Sequence, residues 1–362
     1  MVRKPREQYS KMIRNALNHG NRGVGLICAL AAGLLAMAAD GAERVQRWPE
    51  WQQSRVALDQ CFVRDEFRIY YTLKGGQALP AADRQDRDGD GVPDRIQSLA
   101  LQLVAARRCY VEVLGLRHPF ESRRYRGRVK FIDVNVCVLP DKNNGMAGDA
   151  IVNYHRPSDP PEGVAVLTID LSTKLSPRNL SPAHELFHIF QNGYTLFKTP
   201  WYYEGVARWS EDLLRAGAGE AGPLPATRAE LENLFKQSYE ASRFWQAVAR
   251  ATDPAGRISV PEGLRNACYP GSPKPIIEDS VFYGAPFLKA VLEELDVMDD
   301  SISQAKGRDP LDWSEPLQRS PENNRPIWAA VINVCRRYAP GSPPLRRMVE
   351  ALGQSDNGAA RR

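Results

Sequence analysis

Two histidines four residues apart are the first candidates for chemistry in this chain. His184, Glu185 and His188 form an HExxH motif. Residues four apart lie on one face of a helix, so both imidazoles can reach one metal ion. Zinc accepts nitrogen ligands and keeps a position open for water when the protein supplies only three ligands. Glu185 lies one step round the helix, where we expect it to hold that water and take its proton.

The residues around the motif predict the helix that positions it. Ser181-Pro182 is typical of a helix start, and Asn192-Gly193 is typical of a helix end. Between them lies an apolar stripe at spacings of three and four residues, formed by Leu186, Ile189 and Phe190. The motif is therefore expected on a short amphipathic helix whose other side is free for a metal.

A second helix is predicted to carry the third ligand. Thr199-Pro200 is typical of its start and Gly217 of its end, which places Glu204 near the start. The HExxH motif followed by Glu-Gly-x-Ala at 204–207 resembles the gluzincin metallopeptidases, the clan of thermolysin and of aminopeptidase-N-like enzymes. In that clan the third zinc ligand is a Glu on the next helix, and the resemblance implies this role for Glu204.

The spacing departs slightly from the familiar gluzincins, because fifteen residues separate His188 from Glu204. Glu211 is the reserve third ligand, since it lies two helical turns beyond Glu204. We interpret Glu211 instead as the acceptor for a ligand histidine, a role that metal sites usually fill. The alternative interpretation is a solvated helix face that includes Glu211 and Asp212.

Peptide hydrolysis also needs a donor that stabilises charge on the tetrahedral intermediate. In gluzincins this donor is a Tyr or His on a later helix. Tyr283 is the best match by resemblance, because aminopeptidase-N-like enzymes place a Tyr at a similar helix start. Tyr239 is the alternative. The alternative for either residue is a tyrosine that packs in the core, with its hydroxyl hydrogen-bonded to a neighbouring group.

An acidic loop in the first half of the chain is a candidate calcium site. It resembles the Asp-x-Asp-Gly-Asp-Gly-x-x-Asp loops of secreted calcium-binding repeats. Clustered carboxylates repel one another unless a cation neutralises them. An EF-hand needs a Glu where this chain has Gln97, and a polar turn before the next helix is the alternative. The candidate ligands are Asp86, Asp88, Asp90 and Asp94.

The N-terminus has the features of a secretory signal peptide over residues 1–38. A basic segment precedes the apolar run Val24–Ala39, and Ala36-Met37-Ala38 fits a small-x-small cleavage site. The apolar run is shorter than the roughly 20 residues that a membrane span prefers. We therefore expect a secreted or periplasmic protein without a stable membrane span, with an uncleaved N-terminal anchor as the alternative. Residues 40–60 are a candidate propeptide.

Charge and cysteine content argue against two kinds of site. Residues 1–38 carry six Lys/Arg and one Glu, which leaves 42 basic and 42 acidic residues in the remainder. The basic pI therefore gives no indication of nucleic-acid binding. The five remaining cysteines contain no Cys-x-x-Cys pair, which argues against a cysteine zinc site. An oxidising compartment permits one or two disulfides among them.

Hydrophobic patterns predict an α+β fold with two lobes. Residues 39–172 contain three strand patterns (Phe67–Leu73, Lys130–Leu139 and Gly163–Leu171) and one helix, and are expected to form a small antiparallel or mixed sheet lobe. Residues 173–352 are mainly helical, with patterns at Ala226–Arg250 and Asp279–Leu295, and residues 353–362 form a flexible tail. By resemblance to gluzincins, the last strand borders the cleft and pairs with extended substrate.

Together these patterns predict a secreted zinc metallopeptidase with a zincin-like fold and a metal site between its lobes. The element order resembles a group of poorly characterised secreted bacterial metallopeptidases over about residues 60–300. Zinc is expected on His184, His188 and Glu204, with Glu185 as general base and a peptide or protein as substrate. The rival is a non-catalytic exported protein that binds calcium and a structural zinc. Hydrolysis of a non-peptide amide or ester is a third hypothesis, because fold and motif do not determine the substrate.

Overall fold

The computed structural model describes residues 50–140, 143–154 and 163–353 of the chain. The predicted signal peptide, most of the predicted tail and the first part of the candidate propeptide lie outside these ranges. In the described part, no helix is long and apolar enough to cross a membrane. The five cysteines found there form no disulfide with one another.

A mixed sheet occupies the first half of the described chain. Its spatial order is β1-β2-β3-β6-β4, and β5 also pairs with β6. The central strands β2, β3 and β6 run parallel, whereas β1, β4 and β5 are antiparallel to their neighbours. The predicted α+β class with a mixed sheet is confirmed. The strands are β1 (Gln60–Arg64), β2 (Phe67–Tyr71), β3 (Phe131–Cys137), β4 (Gly145–Ala147), β5 (Val152–Tyr154) and β6 (Val164–Ser172).

The two faces of the sheet differ in chemistry because side chains alternate along each strand. In β3, Ile132, Val134 and Val136 join the main apolar core. On the opposite face Asp133 is fully buried and receives two hydrogen bonds, of 2.7 and 3.0 Å, from the guanidinium of Arg68 on β2. Burial of a charged pair costs little only when its hydrogen bonds are made, as they are here.

Helices pack on the apolar face of the sheet and make up the second half of the chain. The first ends in a π-helical turn, Cys109–Val113. The helices are α1 (Asp94–Arg108), α2 (Ser181–Tyr194), α3 (Pro200–Ser210), α4 (Arg228–Leu234), α5 (Ser242–Thr252), α6 (Glu262–Arg265), α7 (Ala285–Lys306), α8 (Glu315–Gln318), α9 (Asn324–Tyr338) and α10 (Pro343–Leu352).

Helix α2, which carries the HExxH motif, is the central helix of the core. Every residue from Pro182 to Tyr194 is buried, so the prediction of an amphipathic helix is wrong. The side predicted to be free for a metal carries His184 and His188, which both lie next to Glu204. The Tyr110 hydroxyl donates to the Ala183 carbonyl at 2.9 Å, and its ring packs edge-on against Phe187. With the sheet on one side and α1 and α3 on others, the helix has no solvated face.

Strand β6 does not have a free edge for substrate. Strand β3 pairs with it from Val166 to Ser172 on one side, and β5 and β4 pair with it on the other. The prediction that this strand binds extended substrate is therefore wrong. Strand β4, which lies in a loop-like Asn/Gly stretch of sequence, is the edge of the sheet at this point.

Two predicted helices have different bounds in the structure. The Ala226–Arg250 pattern divides into α4, a 3₁₀ turn at Tyr239–Ala241 and α5. The Asp279–Leu295 pattern becomes helical only at Ala285, because Gly284 adopts a left-handed conformation with φ of 74° that a preceding helix would not permit. Both corrections change the positions of the candidate tyrosines.

Candidate metal centre

The structure brings the three predicted zinc ligands together. Nε2 of His184 and Nε2 of His188 lie 3.2 and 3.4 Å from Oε2 of Glu204. The two histidines come from adjacent turns of α2, and Glu204 comes from the first turns of α3. Both histidines are buried, and Glu204 is only partly exposed to solvent. We refer to these three residues as the His–Glu centre.

The spacing of these atoms fits a tetrahedral ion. Two ligand atoms about 2.0–2.1 Å from zinc, at a tetrahedral angle, are about 3.3 Å apart. The observed separations of 3.2 and 3.4 Å between imidazole nitrogen and carboxylate oxygen agree with that value. Two imidazoles and one carboxylate are also the kind of donor set that leaves a zinc position open for catalysis.

The outer nitrogen of each imidazole has its own acceptor. Nδ1 of His184 lies 3.0 Å from Oε1 of Glu211, and Nδ1 of His188 lies 2.8 Å from Oε1 of Gln191. A proton on Nδ1 leaves the Nε2 lone pair directed toward Glu204 in both residues. These contacts fix the ring orientations in the way that outer partners of metal-ligating histidines do.

Glu211 is buried, which contradicts the alternative of a solvated helix face. It lies on a 3₁₀ turn directly after α3 and not on the helix itself. Arg208 and Arg215 both donate to its Oε2, with Arg208 at 2.6 Å. Since two guanidinium groups compensate its charge, Glu211 stays ionised as the acceptor for His184 and is held away from the position of a third ligand.

The two histidines have opposite pKa shifts in the metal-free centre. Burial lowers the pKa of His188 below its usual value, since its outer partner Gln191 is neutral. Burial acts in the same direction on His184, but hydrogen bonds to Glu204 and Glu211 outweigh it and raise the pKa to about 9. Those same contacts hold the pKa of Glu204 well below its usual value, against its burial. A metal ion on His184 must therefore displace a proton.

Glu185 lies beside the centre and contacts strand β4. A Cβ atom added at Gly145 would lie only 2.7 Å from the Glu185 Cγ atom and 2.9 Å from its Oε1. The Glu185 carboxylate also accepts a hydrogen bond from the backbone N–H of Ala147. Burial, together with the charges of Glu204 and Asp170, raises the pKa of Glu185 to about 8. This position is suited to exchanging a proton near neutral pH.

The geometry favours Tyr239 over Tyr283 as the additional donor. The Tyr239 ring lies 5.7 Å from the His184 ring and is half exposed. Burial, with the nearby carboxylates of Glu204 and Glu185, raises the pKa of its hydroxyl, which therefore keeps its proton. Tyr283 instead packs against Arg250, 5.0 Å from its ring centre.

The position of Tyr283 follows from the left-handed turn before α7. Its neighbour Phe282 stacks on Trp209 with a centroid separation of 5.4 Å, at the end of α3 remote from Glu204. Gly256 contacts the Tyr283 ring so closely that an added Cβ would lie 2.5 Å from it. The predicted role of Tyr283 depended on a helix start at this position, and the helix begins two residues later.

Gly205 permits the approach of the segment that carries Tyr239. A Cβ atom at Gly205 would lie 3.0 Å from the Ala241 Cβ and 3.0 Å from the indole nitrogen of Trp245. That indole nitrogen donates to the Trp201 carbonyl at 3.0 Å. The glycine after the third ligand therefore lets the 3₁₀ turn and α5 pack directly on α3.

Three contacts of the centre were not identified from the sequence. Tyr203 stacks on His188 with a centroid separation of 3.9 Å and an angle of 10°. The contact of Gln191 could have been predicted, since this residue lies three residues after His188 on the same helix face. The contact of Gly145 could not, because a glycine in an Asn/Gly stretch is typical of a loop.

The acidic loop is also compact, but its carboxylates contact groups of the loop itself. Asp86 accepts the backbone N–H groups of Gly89 and Gly91 at 2.8 and 2.9 Å. The Gln97 amide donates to Asp88 at 3.2 Å and to Asp90 at 2.9 Å. Oxygens of Asp86, Asp88 and Asp94 lie within 4.8 Å of one another, so calcium binding stays a prediction for this loop.

Comparison of the chain with protein-family models, curated proteins and solved structures gives no match. The resemblance to gluzincins is therefore an interpretation of the motifs alone. The functional assignment depends on the geometry of the His–Glu centre and of the residues around it.

Proposed function

We propose that this chain is an exported zinc metallopeptidase of the zincin-like type, with its metal on His184, His188 and Glu204. The observation that carries the proposal is the convergence of two Nε2 atoms and one carboxylate oxygen at tetrahedral spacing, with both outer nitrogens held by acceptors. A purely structural zinc has no use for a titratable carboxylate next to an open position, and Glu185 occupies that place.

The reaction assigned to the centre is hydrolysis of an amide bond by water. When bound, zinc supplies a Lewis acid that makes water more acidic and polarises the substrate carbonyl. Glu185 accepts a proton from the attacking water and passes it to the nitrogen of the leaving amine as the C–N bond breaks. The backbone N–H of Ala147 and the contact with Gly145 hold the carboxylate in position for both transfers.

Tyr239 is the proposed donor to the oxygen that becomes negative in the tetrahedral intermediate. Its hydroxyl keeps its proton because its pKa is raised, it hydrogen-bonds Glu204, and the side chain is half exposed. A donor that is already in place before charge develops stabilises the transition state more than the ground state. Replacement of Tyr239 by Phe is expected to lower kcat by about 10²- to 10³-fold, whereas Tyr283→Phe leaves kcat unchanged.

The free edge of β4 supports a peptide as the substrate class. Ser172 N–H donates to the Asn144 carbonyl and Gly148 N–H to the Thr168 carbonyl, so the intervening Gly145 and Ala147 direct their main-chain groups away from β6. The Ala147 N–H donates to Glu185, which leaves the Gly145 main-chain groups and the Ala147 carbonyl for an added strand. An extended peptide can add to such an edge as a further strand. This edge lies next to Glu185, which would place a peptide bond within reach of the proposed base.

The experiment is a comparison of wild-type protein, Glu185→Gln and the matched control Glu112→Gln in a panel of peptides, amides and esters. Gln keeps the volume of Glu185 but cannot accept a proton, so turnover should fall about 10²- to 10⁴-fold while bound zinc is unchanged. Glu112 lies on the protein surface, paired with Arg108, so Glu112→Gln should leave turnover unchanged. A wild-type protein that holds zinc and cleaves nothing in the panel would favour the non-catalytic rival, and cleavage of esters alone would exclude peptides.

A further inference from the structure

A cleft lies away from the His–Glu centre, against the first turns of α1. It is open to solvent and has a volume of about 500 Å³. Its walls are the start of α1, the segment 82–87 before it, and two turns at residues 176–178 and 269–272. None of the residues lining this cleft belongs to the His–Glu centre. It is therefore available for a ligand of its own.

Arg95 is a buried cation in this cleft without a direct partner. Only 8 % of the residue is exposed. Among the described residues it makes no hydrogen bond and no ion pair, in contrast to the buried Arg68. The carboxylate of Asp83 acts on Arg95 at longer range, and Asp94 pairs with Arg87 at 3.4 Å. The guanidinium nitrogens keep contact with the space of the cleft, so an anion bound there can accept hydrogen bonds from them.

Ser98 places a hydroxyl beside Arg95 on the wall of the cleft. It lies one turn further along α1, on the same helix face, and is 5 % exposed. Within the described ranges its hydroxyl, like the guanidinium, has no hydrogen-bond partner. Both residues line the cleft. At the mouth of the cleft Arg178 donates to the Ser272 hydroxyl at 3.1 Å, which adds a second cation and a second hydroxyl.

We propose that this cleft binds an oxyanion, with Arg95 and Ser98 as the inner contacts and Arg178 at the mouth. The planar fork of a guanidinium presents paired N–H groups that match two oxygens of a phosphate, a sulfate or a carboxylate. Asp94 pairs with Arg87, and the Glu278 carboxylate acts on Arg178. Arg95 is therefore the guanidinium of this cleft that no carboxylate of the described residues contacts directly. The ligand is either a free inorganic oxyanion or the terminal carboxylate of a peptide.

The first experiment measures the melting temperature of the mature protein in inorganic phosphate, in sulfate and in chloride at one ionic strength. A ligand at ten times its dissociation constant should raise Tm by roughly 2–5 °C through linkage. Two further arms contain an acetylated dipeptide with a free C-terminal carboxylate and the same dipeptide amide. A shift with phosphate or sulfate identifies a free oxyanion, and a shift with only the peptide acid identifies a peptide carboxylate. Equal Tm values in all arms would overturn the proposal.

The second experiment separates binding from a structural role by using Arg95→Gln. If Arg95 serves a ligand, Arg95→Gln removes the anion-dependent shift and raises Tm in chloride, since an uncompensated buried charge is lost. If Arg95 only stabilises the fold, Tm falls equally in every buffer, which would overturn the proposal. Arg108→Gln, at the exposed end of the same helix, is the matched control and should retain the full shift.

Ser98→Ala keeps the proposal testable if Arg95→Gln fails to fold. Loss of one neutral hydrogen bond should weaken anion binding by roughly 2- to 10-fold without loss of the folded state. An unchanged affinity for phosphate, sulfate and the peptide acid in Ser98→Ala would contradict the assignment of the inner contacts. These experiments measure the melting temperature and anion binding. Their outcome therefore does not depend on whether the His–Glu centre hydrolyses a substrate.

Discussion

The His–Glu centre and the acidic loop are both candidate metal sites, and they are built in opposite ways. The centre combines side chains from α2 and α3 with contacts from β4 and from the 3₁₀ turn that carries Tyr239, and its ligands are mostly buried. The loop lies within residues 86–97, and the candidate ligands Asp86 and Asp88 are exposed. The first site depends on the whole fold, whereas the second depends on local turn chemistry.

The carboxylates of the two sites also differ in what satisfies them. In the loop, the Gln97 amide and backbone N–H groups already donate to Asp86, Asp88 and Asp90. These contacts satisfy part of the hydrogen-bonding capacity of the carboxylates within the loop and the first turn of α1. In the centre, Nε2 of His184 and Nε2 of His188 lie 3.2 and 3.4 Å from Oε2 of Glu204, a spacing that suits a shared proton or a metal ion. Preorganisation by distant elements therefore favours the centre as the functional site.

The largest effect that sharpens this contrast is expected from Gly145→Ala. The added methyl group collides with the Glu185 side chain from a strand 40 residues away. A displaced general base should lower kcat by about 10²-fold while zinc content and Tm stay close to wild type. Gly76→Ala, where nothing lies within 4 Å of the added Cβ, is the control. Wild-type turnover in Gly145→Ala would mean that the Glu185 carboxylate is not the base.

The next effect concerns Glu211→Gln, which removes the anionic acceptor of His184. Outer partners of metal-ligating histidines typically contribute about 10- to 100-fold in metal affinity. We expect zinc affinity to fall by that factor in a competition titration with a chromophoric chelator. Asp88→Asn in the acidic loop should leave zinc affinity unchanged. Weaker zinc binding in Asp88→Asn would reverse the ranking of the two sites.

A smaller, pH-dependent effect should distinguish the sites without any mutation. Because the pKa of His184 is raised to about 9, zinc must displace a proton from it below that pH. Zinc affinity should therefore rise by about tenfold per pH unit between pH 7 and pH 9. The Gln97 hydrogen bond lowers the pKa of Asp88, so this loop carboxylate is already ionised throughout that range.

Calorimetry in buffers of different ionisation enthalpy tests the same linkage directly. Zinc binding should release between about one and two protons at pH 7, from His184 and from Glu185 beside it, and calcium binding should release none. A pH-independent zinc affinity would show that His184 is neutral in the metal-free protein. In that case the contacts with Glu204 and Glu211 would not hold a proton on the ring.

The smallest effect is expected from calcium at the acidic loop. At ten times its dissociation constant, calcium should stabilise the fold by about 1.4 kcal/mol through linkage. Asp86→Asn should abolish this increase in Tm, while zinc-dependent turnover is retained. Identical melting curves with and without calcium would identify the loop as a polar turn that leads into α1.

Local sequence signals predicted much of this molecule. The HExxH spacing located both histidines, and Thr199-Pro200 marks the start of α3, as the structure shows. Those signals act within one or two helical turns, where side-chain spacing is fixed by the backbone. The alternation of apolar residues in β3 likewise separates the core face from the polar face.

Contacts between residues far apart in the chain could not be predicted from the sequence in the same way. Strand β4 has three residues, Gly145–Ala147, whose types are poor strand formers, and pairing with β6 alone makes it a strand. Tyr239 reaches the centre because the predicted helix breaks near Ser238, whose backbone is not helical. The contact between Gly145 and Glu185 depends on tertiary packing, for which the sequence contains no periodic signal.

The most direct test of the His–Glu centre is zinc K-edge X-ray absorption on the purified mature protein. We predict one zinc per chain with nitrogen and oxygen ligands at about 2.0–2.1 Å and the outer-shell scattering of two imidazole rings. Sulfur ligands at about 2.3 Å, or an all-oxygen shell without imidazole scattering, would contradict the account. The first result would place the metal on cysteines, and the second would place it in the acidic loop.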